Sequence, residues 1–125
     1  LDAGTLVVPV GFSQGGLMAT QLLRTRPERV LAPVILAGFV LGAPQRGDAT
    51  LGEARPPVFW GRGAEDRVIA APAVARTESW LPLHTSLTRR VYPGLGHGLS
   101  QIEVDEVREF LVEHVGVNHV DGARQ

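Results

Sequence analysis

The pentapeptide Gly11-Phe12-Ser13-Gln14-Gly15 constrains this chain more than any other feature, because of what flanks it. Residues 6–10 before it are a β-branched apolar run. Residues 14–24 after it place Leu17, Met18, Leu22 and Leu23 on one helical face. A strand that turns sharply into a helix through G-x-S-x-G forces the serine into a strained backbone conformation. Side chains two positions before and two after would collide in such a turn, so Gly11 and Gly15 are both expected to be obligatory. The turn lifts the Ser13 hydroxyl clear of the sheet and sets it at the positive end of the helix dipole, where developing negative charge is favoured. Ser13 is therefore the candidate nucleophile, and the free N–H of Gln14 a candidate oxyanion donor.

The same alternation of short apolar runs and helix-like segments continues along the chain. Within residues 30–40 the Val34-Ile35-Leu36 triplet reads as a strand. Residues 42–57, rich in Gly, Pro and Ala, read as a long loop. Residues 58–60 form a third strand, and residues 70–81 a helix, with Pro72 tolerated in its first turn and Pro82 ending it. Residues 87–92 form a fourth strand. Residues 100–115 make the clearest helix, with a Ser100/Glu103 capping box, an apolar stripe of Val104, Val107, Leu111 and Val115, and Gly116 as the stop. Strands that barely alternate are buried on both faces. The expected fold is α/β, a parallel sheet with helices on both faces. Pro9 breaks the pattern, having no N–H for a ladder, and implies a bulge or a locally unpaired stretch.

A serine nucleophile needs a base, and the base needs an orienting acid. For G-x-S-x-G in a parallel sheet the chain order is Ser, Asp or Glu, His. Asp66 follows the third strand within Gly61-Arg62-Gly63-Ala64-Glu65-Asp66, and His97 follows the fourth within Pro93-Gly94-Leu95-Gly96-His97-Gly98. Reactive groups in open α/β sheets gather at the carboxyl ends of strands, where all three residues fall. Glu65 is the nearest rival to Asp66. Glycines on both sides of His97 imply a special backbone there. His84, His114 and His119 follow no strand in a glycine-rich loop and are read as structural or solvated.

Composition excludes several other classes. With 44 % hydrophobic residues, a formal net charge of -1 and no block of like charge, the chain has the balance of a globular domain and no signature of nucleic-acid or anionic-membrane binding. All twelve basic residues are arginine. There is no cysteine, hence no thiol nucleophile or disulfide framework. No stretch is long and apolar enough for a transmembrane helix, and no secretion signal is seen; a cytoplasmic location is expected. Neither a cofactor nor a metal is expected, since no His/Asp/Glu cluster has ligand spacing. Residues 1–117 are taken as one domain and residues 118–125 as a frayed tail.

The strings Gly11-Phe12-Ser13-Gln14-Gly15-Gly16, Pro57-Val58 through Asp66, and Tyr92-Pro93-Gly94-Leu95-Gly96-His97 leading to Gln101 and Val107-Arg108-Glu109-Phe110-Leu111 together resemble the phospholipase/carboxylesterase family of α/β-hydrolases. The resemblance covers nearly the whole chain. It implies a Ser13, Asp66, His97 triad with the Gln14 amide as one oxyanion donor, acting through an acyl-serine on a small-molecule ester or thioester. Family members usually carry histidine where Arg62 stands, often proline at Arg67, and commonly serine at Gly98. Their sheet also begins with several strands upstream of the nucleophile, one of whose loops supplies a second oxyanion amide. This chain therefore corresponds to the C-terminal part of an α/β-hydrolase fold lacking its N-terminal strands. The unpaired apolar edge at residues 6–10 is then expected to meet either a missing N-terminal half or another copy, as a homo-oligomer.

Substrate identity is weakly encoded. Phe39, Val40 and Leu41 follow a strand and could line an acyl pocket, although ordinary core packing is the favoured reading of them; Trp60 and Trp80 read as core. Two other classes share this sequence pattern, a non-catalytic hydrolase remnant serving in binding or assembly, and a serine peptidase.

Overall fold

A computed structural model of the chain describes residues 4–116. The expected tail, with His119, lies outside the described residues. The elements are β1 (Val10–Phe12), α1 (Gln14–Thr25), a 3-10 turn (Pro27–Arg29), β2 (Val34–Leu36), α2 (Asp48–Ala54), β3 (Pro57–Gly63), α3 (Ala71–His84), β4 (Ser86–Tyr92) and α4 (Gln101–Val115). The strands form one parallel sheet in the order β1-β2-β3-β4, so every connection crosses to the adjacent strand.

Alternation along the strands separates two cores. Ile35, Val58 and Trp60 point to one face and pack with Leu23 of α1, Leu51 of α2 and Leu81 of α3. Val34, Leu36 and Phe59 point to the other and pack with Phe110 of α4, whose ring lies 5.7 Å from that of Phe59. Helices thus cover both faces, as expected. Full burial of each such side chain contributes roughly 1.5–3 kcal/mol.

The first strand is displaced from its expected place. Val7 makes only an isolated bridge to Val30, and regular pairing starts at Val10. Pro9, between them, has no N–H to donate, yet its carbonyl accepts from Val34 N–H at 2.9 Å. The stretch is locally unpaired on the donor side, one of the two outcomes anticipated for this proline. Leu6, Val10 and Phe12 remain exposed on that edge.

Three other expectations need correction. Residues 42–57 are not all loop, since α2 lies within them; one buried leucine, Leu51, gives no periodic signal. Pro82 does not end α3, which runs on to His84. Side chains satisfy the carbonyls of its final turn: His84 Nδ1 bonds Trp80 O at 2.8 Å, Thr85 Oγ1 donates to Leu81 O at 2.7 Å, and Arg55 donates to the carbonyls of Pro82 and Leu83. Finally, the buried side of α1 is Gly16, Ala19, Thr20, Leu23 and Arg24, while Met18 and Leu22 are exposed. Gly16 explains this choice, because a Cβ there would stand 2.9 Å from Gly38 Cα, so only small residues let the helix approach the sheet so closely.

Arg24 itself is 1 % exposed. Its Nε and Nη2 donate to both Asp48 carboxylate oxygens at 2.9 and 2.8 Å, and its Nη1 and Nη2 to the carbonyls of Leu41 and Ala43. The guanidinium also lies 4.5 Å from the Trp80 ring centroid. A cation buried this deeply persists only when its donors are satisfied, which is what ties α1 to the 41–48 segment.

Candidate active site

At the carboxyl end of β1 the chain reverses into α1 through Ser13, whose φ of 61° and ψ of -117° lie outside the ordinary regions for an L-residue. Such a conformation costs about 1–3 kcal/mol and persists only where neighbours enforce it. Ser13 N–H donates to Leu36 O at 2.7 Å, and Ser13 O accepts from Leu17 N–H at 3.1 Å, opening the helix. Gly11 is indispensable, since a Cβ on it would overlap the Gly15 carbonyl. The matching requirement at Gly15 is not found: nothing lies within 4 Å of a Cβ there, and the tight second position is Gly16. Gln14 is the first residue of α1, so its N–H is among those without an acceptor inside the helix.

The acid follows β3, which is longer than expected and takes in Gly61, Arg62 and Gly63. Asp66 N–H closes a turn onto Gly63 O at 3.2 Å. One Asp66 oxygen, Oδ1, accepts from the N–H groups of Val68 (2.9 Å) and Ile69 (3.3 Å), and the other, Oδ2, meets His97 Nδ1 at 2.7 Å. Burial alone would raise the Asp66 carboxyl. The His97 bond and the two backbone donors outweigh it and hold the group below its ordinary value, as an anion. Glu65 takes no part; its carboxylate stands 3.9 Å from exposed Arg67.

His97 is carried by the segment after β4. Leu95 N–H donates to Tyr92 O at 3.3 Å across Pro93-Gly94, with Gly94 at φ 76°, the arrangement of a type II turn. The special backbone is thus at Gly94. Gly96 and Gly98, which flank the histidine, have no positive φ and no close neighbour for a Cβ. The two loops are stitched together, Ala64 N–H to Tyr92 O at 2.9 Å and Glu65 N–H to Leu95 O at 2.8 Å. Their approach depends on Gly63, where a Cβ would stand 2.1 Å from Leu95 O.

The free ring nitrogen of His97, Nε2, lies 2.8 Å from Ser13 Oγ. Hydroxyl, imidazole and carboxylate are therefore hydrogen-bonded in series across three strand ends. The Phe12 ring covers the imidazole at 5.0 Å. Such a series can move a proton from an alcohol to an imidazole while the carboxylate fixes the ring's tautomer.

The remaining sequence candidates fall elsewhere. Val40 is buried, its N–H bonded to Thr77 Oγ1 and its carbonyl to Arg76 Nε; Phe39 is partly buried and Leu41 partly exposed. A small cavity beside Asp66 is lined instead by the preceding Ala37 and Gly38, with Arg62, Ile69 and Val74. It adjoins an open groove of about 480 Å³ where Arg62, Asp66, Ile69 and Val74 recur and Arg67 is added. Arg62 turns back onto Glu78 at 3.1 Å and lies 5.7 Å from the Trp60 ring centroid. His84 stacks on Trp80 and His114 packs on Phe110. Among the described residues, no group of three His, Asp or Glu side chains could hold a metal, and no helix is long and apolar enough to cross a membrane.

A parallel sheet covered on both faces, with a strained serine at a strand-to-helix turn, is the architecture of an α/β-hydrolase. The chain belongs to the phospholipase/carboxylesterase family, which it matches over residues 4–115. A rice protein (Oryza sativa subsp. japonica) named as a probable carboxylesterase is 26 % identical over 107 residues, covering 84 % of this chain and 40 % of the relative. The crystal structure of esterase PE8 superposes with a TM-score of 0.67 at 27 % identity, over 84 % of this chain and 48 % of that one. The Bacillus cereus carboxylesterase shares the fold with a TM-score of 0.70 at 20 % identity, over 86 % of this chain and 49 % of that one. The chain thus spans about 40 % of the length of the curated relatives it matches.

Proposed function

We propose that this chain carries the catalytic triad of a serine hydrolase that cleaves carboxylic esters. The observation that supports this most directly is the 2.8 Å approach of His97 Nε2 to Ser13 Oγ, with Asp66 at 2.7 Å behind the same ring. His97 takes the Ser13 proton as the oxygen attacks the ester carbonyl. The tetrahedral oxyanion is received by the Gln14 N–H at the start of α1. Protonated His97 then returns the proton to the departing alcohol, leaving an acyl-serine. Water deprotonated by His97 attacks that ester, releasing the acid and restoring Ser13. Asp66, held as an anion, stabilises the imidazolium at both steps.

A thioester substrate would follow the same course, with a thiol as leaving group. A second oxyanion donor is expected from the part of the fold that longer relatives possess. Without it turnover would be lower by roughly 10²–10³.

The test is labelling with a fluorophosphonate followed by mass analysis. Ser13 should be modified in the wild type and spared in Ser13→Ala. Hydrolysis of p-nitrophenyl esters of graded chain length, set against peptide amides, then separates esterase from peptidase. Preferential cleavage of amides overturns the ester reading, and an unreactive Ser13 favours a binding or assembly role.

A further inference from the structure

Glu103 is the one acidic side chain among the described residues whose two carboxyl oxygens are both buried without a hydrogen-bond partner. The residue is 1 % exposed. At the head of α4, where a Ser100/Glu103 capping box was anticipated, Ser100 Oγ accepts from Glu103 N–H at 3.2 Å. The Ser100 backbone N–H also draws the Glu103 carboxyl down, but less than burial and Glu106 push it up. The side chain rests on β3, where a Cβ on Gly61 would stand 2.3 Å from its Oε2.

This placement bears on the site because of the two-residue period of a strand. Phe59, Gly61 and Gly63 share one face of β3. Phe110 of α4 rests on Phe59, Glu103 of α4 rests on Gly61, and the backbone of Leu95 and Gly96 rests on Gly63. The helix start and the histidine loop therefore sit side by side on one bare strip, and His97 is six residues from Glu103. The charge that bears on Glu103 is that of Glu106 on its own helix, and Glu103 in turn holds up the Tyr92 phenol on β4. Tyr92 donates to Glu106 at 2.6 Å, and Arg90 of β4 lies 3.4 Å from the same carboxylate. On β3 it rests against the uncharged Gly61. Among the described residues no cation bears on Glu103, and burial disfavours its ionised form more than the Ser100 N–H favours it.

We propose that Glu103 is a positioning residue, held as a neutral carboxylic acid against Gly61, where it seats the start of α4 and thereby the loop that delivers His97 to Ser13. Ionisation would draw the side chain toward water and loosen that seat. Burial, followed by repulsion from Glu106, pushes the carboxyl up to about 7, so the seat is intact in mild acid and weakens through neutrality. The role rests on the triad reading given above.

The experiment follows the rate of Ser13 modification by a fluorophosphonate from pH 5.5 to 8.5, in wild type and in Glu103→Gln, a neutral isostere. Thermal unfolding of both is recorded over the same range. The two proteins should react alike at the acid end. At pH 8.5 the wild type should be slower by up to about 30-fold, the ratio set by one and a half units above a midpoint near 7. Its melting temperature, relative to the variant, should fall as pH rises from the ordinary glutamate range through 7. Superimposable pH profiles, with Ser13 reactive in both, overturn the positioning role and leave the triad standing. No modification of Ser13 in either protein at any pH overturns the triad reading itself. If Glu103→Gln does not fold, Glu106→Gln serves instead. Removing that neighbouring charge should move the wild-type midpoint to lower pH, and an unmoved midpoint overturns the inference.

Discussion

Gly11 and Gly15 bracket Ser13 but stand in opposite situations: a Cβ on Gly11 would come within 2.0 Å of the Gly15 carbonyl oxygen, whereas one on Gly15 would meet open space. The serine's strained geometry therefore leans on the first glycine and on Gly16, and not on the second member of the pentapeptide.

The consequence is an asymmetric pair of substitutions. Gly11→Ala should abolish fluorophosphonate labelling of Ser13 and cost about 1–3 kcal/mol or more in urea denaturation, because the overlap is with backbone that cannot rotate away. Gly15→Ala should retain labelling, with a stability change between neutral and a gain of up to about 1 kcal/mol, since alanine is the better helix residue.

Asp66→Asn should lower ester turnover by about 10⁴-fold with little change in the far-ultraviolet circular dichroism, because an amide stabilises the wrong imidazole tautomer. Stability should respond to acid as well. The Asp66 carboxyl is held below its ordinary value, so its contribution is present above that value and disappears as pH falls through the depressed one. Acid titration of wild type against Asp66→Asn should therefore show the wild-type advantage vanishing at the low end; an advantage that grows there would refute the assignment.

Arg24→Ala should be among the most destabilising single changes in the chain, at about 3–5 kcal/mol by denaturant unfolding, because it strands Asp48 and two carbonyls. The Arg24 hydrogen bond is also the chief reason that the Asp48 carboxyl lies low. In the variant that carboxyl should move back up toward the usual aspartate range, as read by carbon-13 chemical shifts.

Ser100→Ala removes the acceptor for Glu103 N–H at the head of α4 and should cost about 0.5–2 kcal/mol. Ser100→Asp should recover most of the loss, since a carboxylate can fill the same role and complements the helix dipole.

The course of the fold and the hydrogen-bonded series could largely be read along the chain because their signals are local. Ser13, Asp66 and His97 each follow an apolar run directly, and strand ends in a parallel sheet converge without further instruction. What escaped was decided by distant partners. The seven-residue α2 is held by Leu51 and by Asp48's bond to Arg24, neither of which has a periodic signature. Val104, expected on the buried stripe of α4, is 47 % exposed, while Phe110 takes the place against Phe59. The serine–glutamate spacing at the start of α4 signalled the cap on Glu103 N–H, but nothing local signalled the hollow at Gly61 in which the glutamate side chain rests. Nothing along the chain marks Arg24 as buried, and only the fold shows it enclosed by the 41–48 segment. Similarly, the glycines beside His97 drew attention to the wrong position, the demanding backbone being two residues from the nearer of them, at Gly94.

The three groups of the proposed relay follow β1, β3 and β4, all between residues 13 and 97. A proton relay gathered into one uninterrupted stretch is modular. Grafted next to different upstream segments, the same cassette would keep its relay while its neighbours complete the oxyanion site and dictate which molecules are admitted.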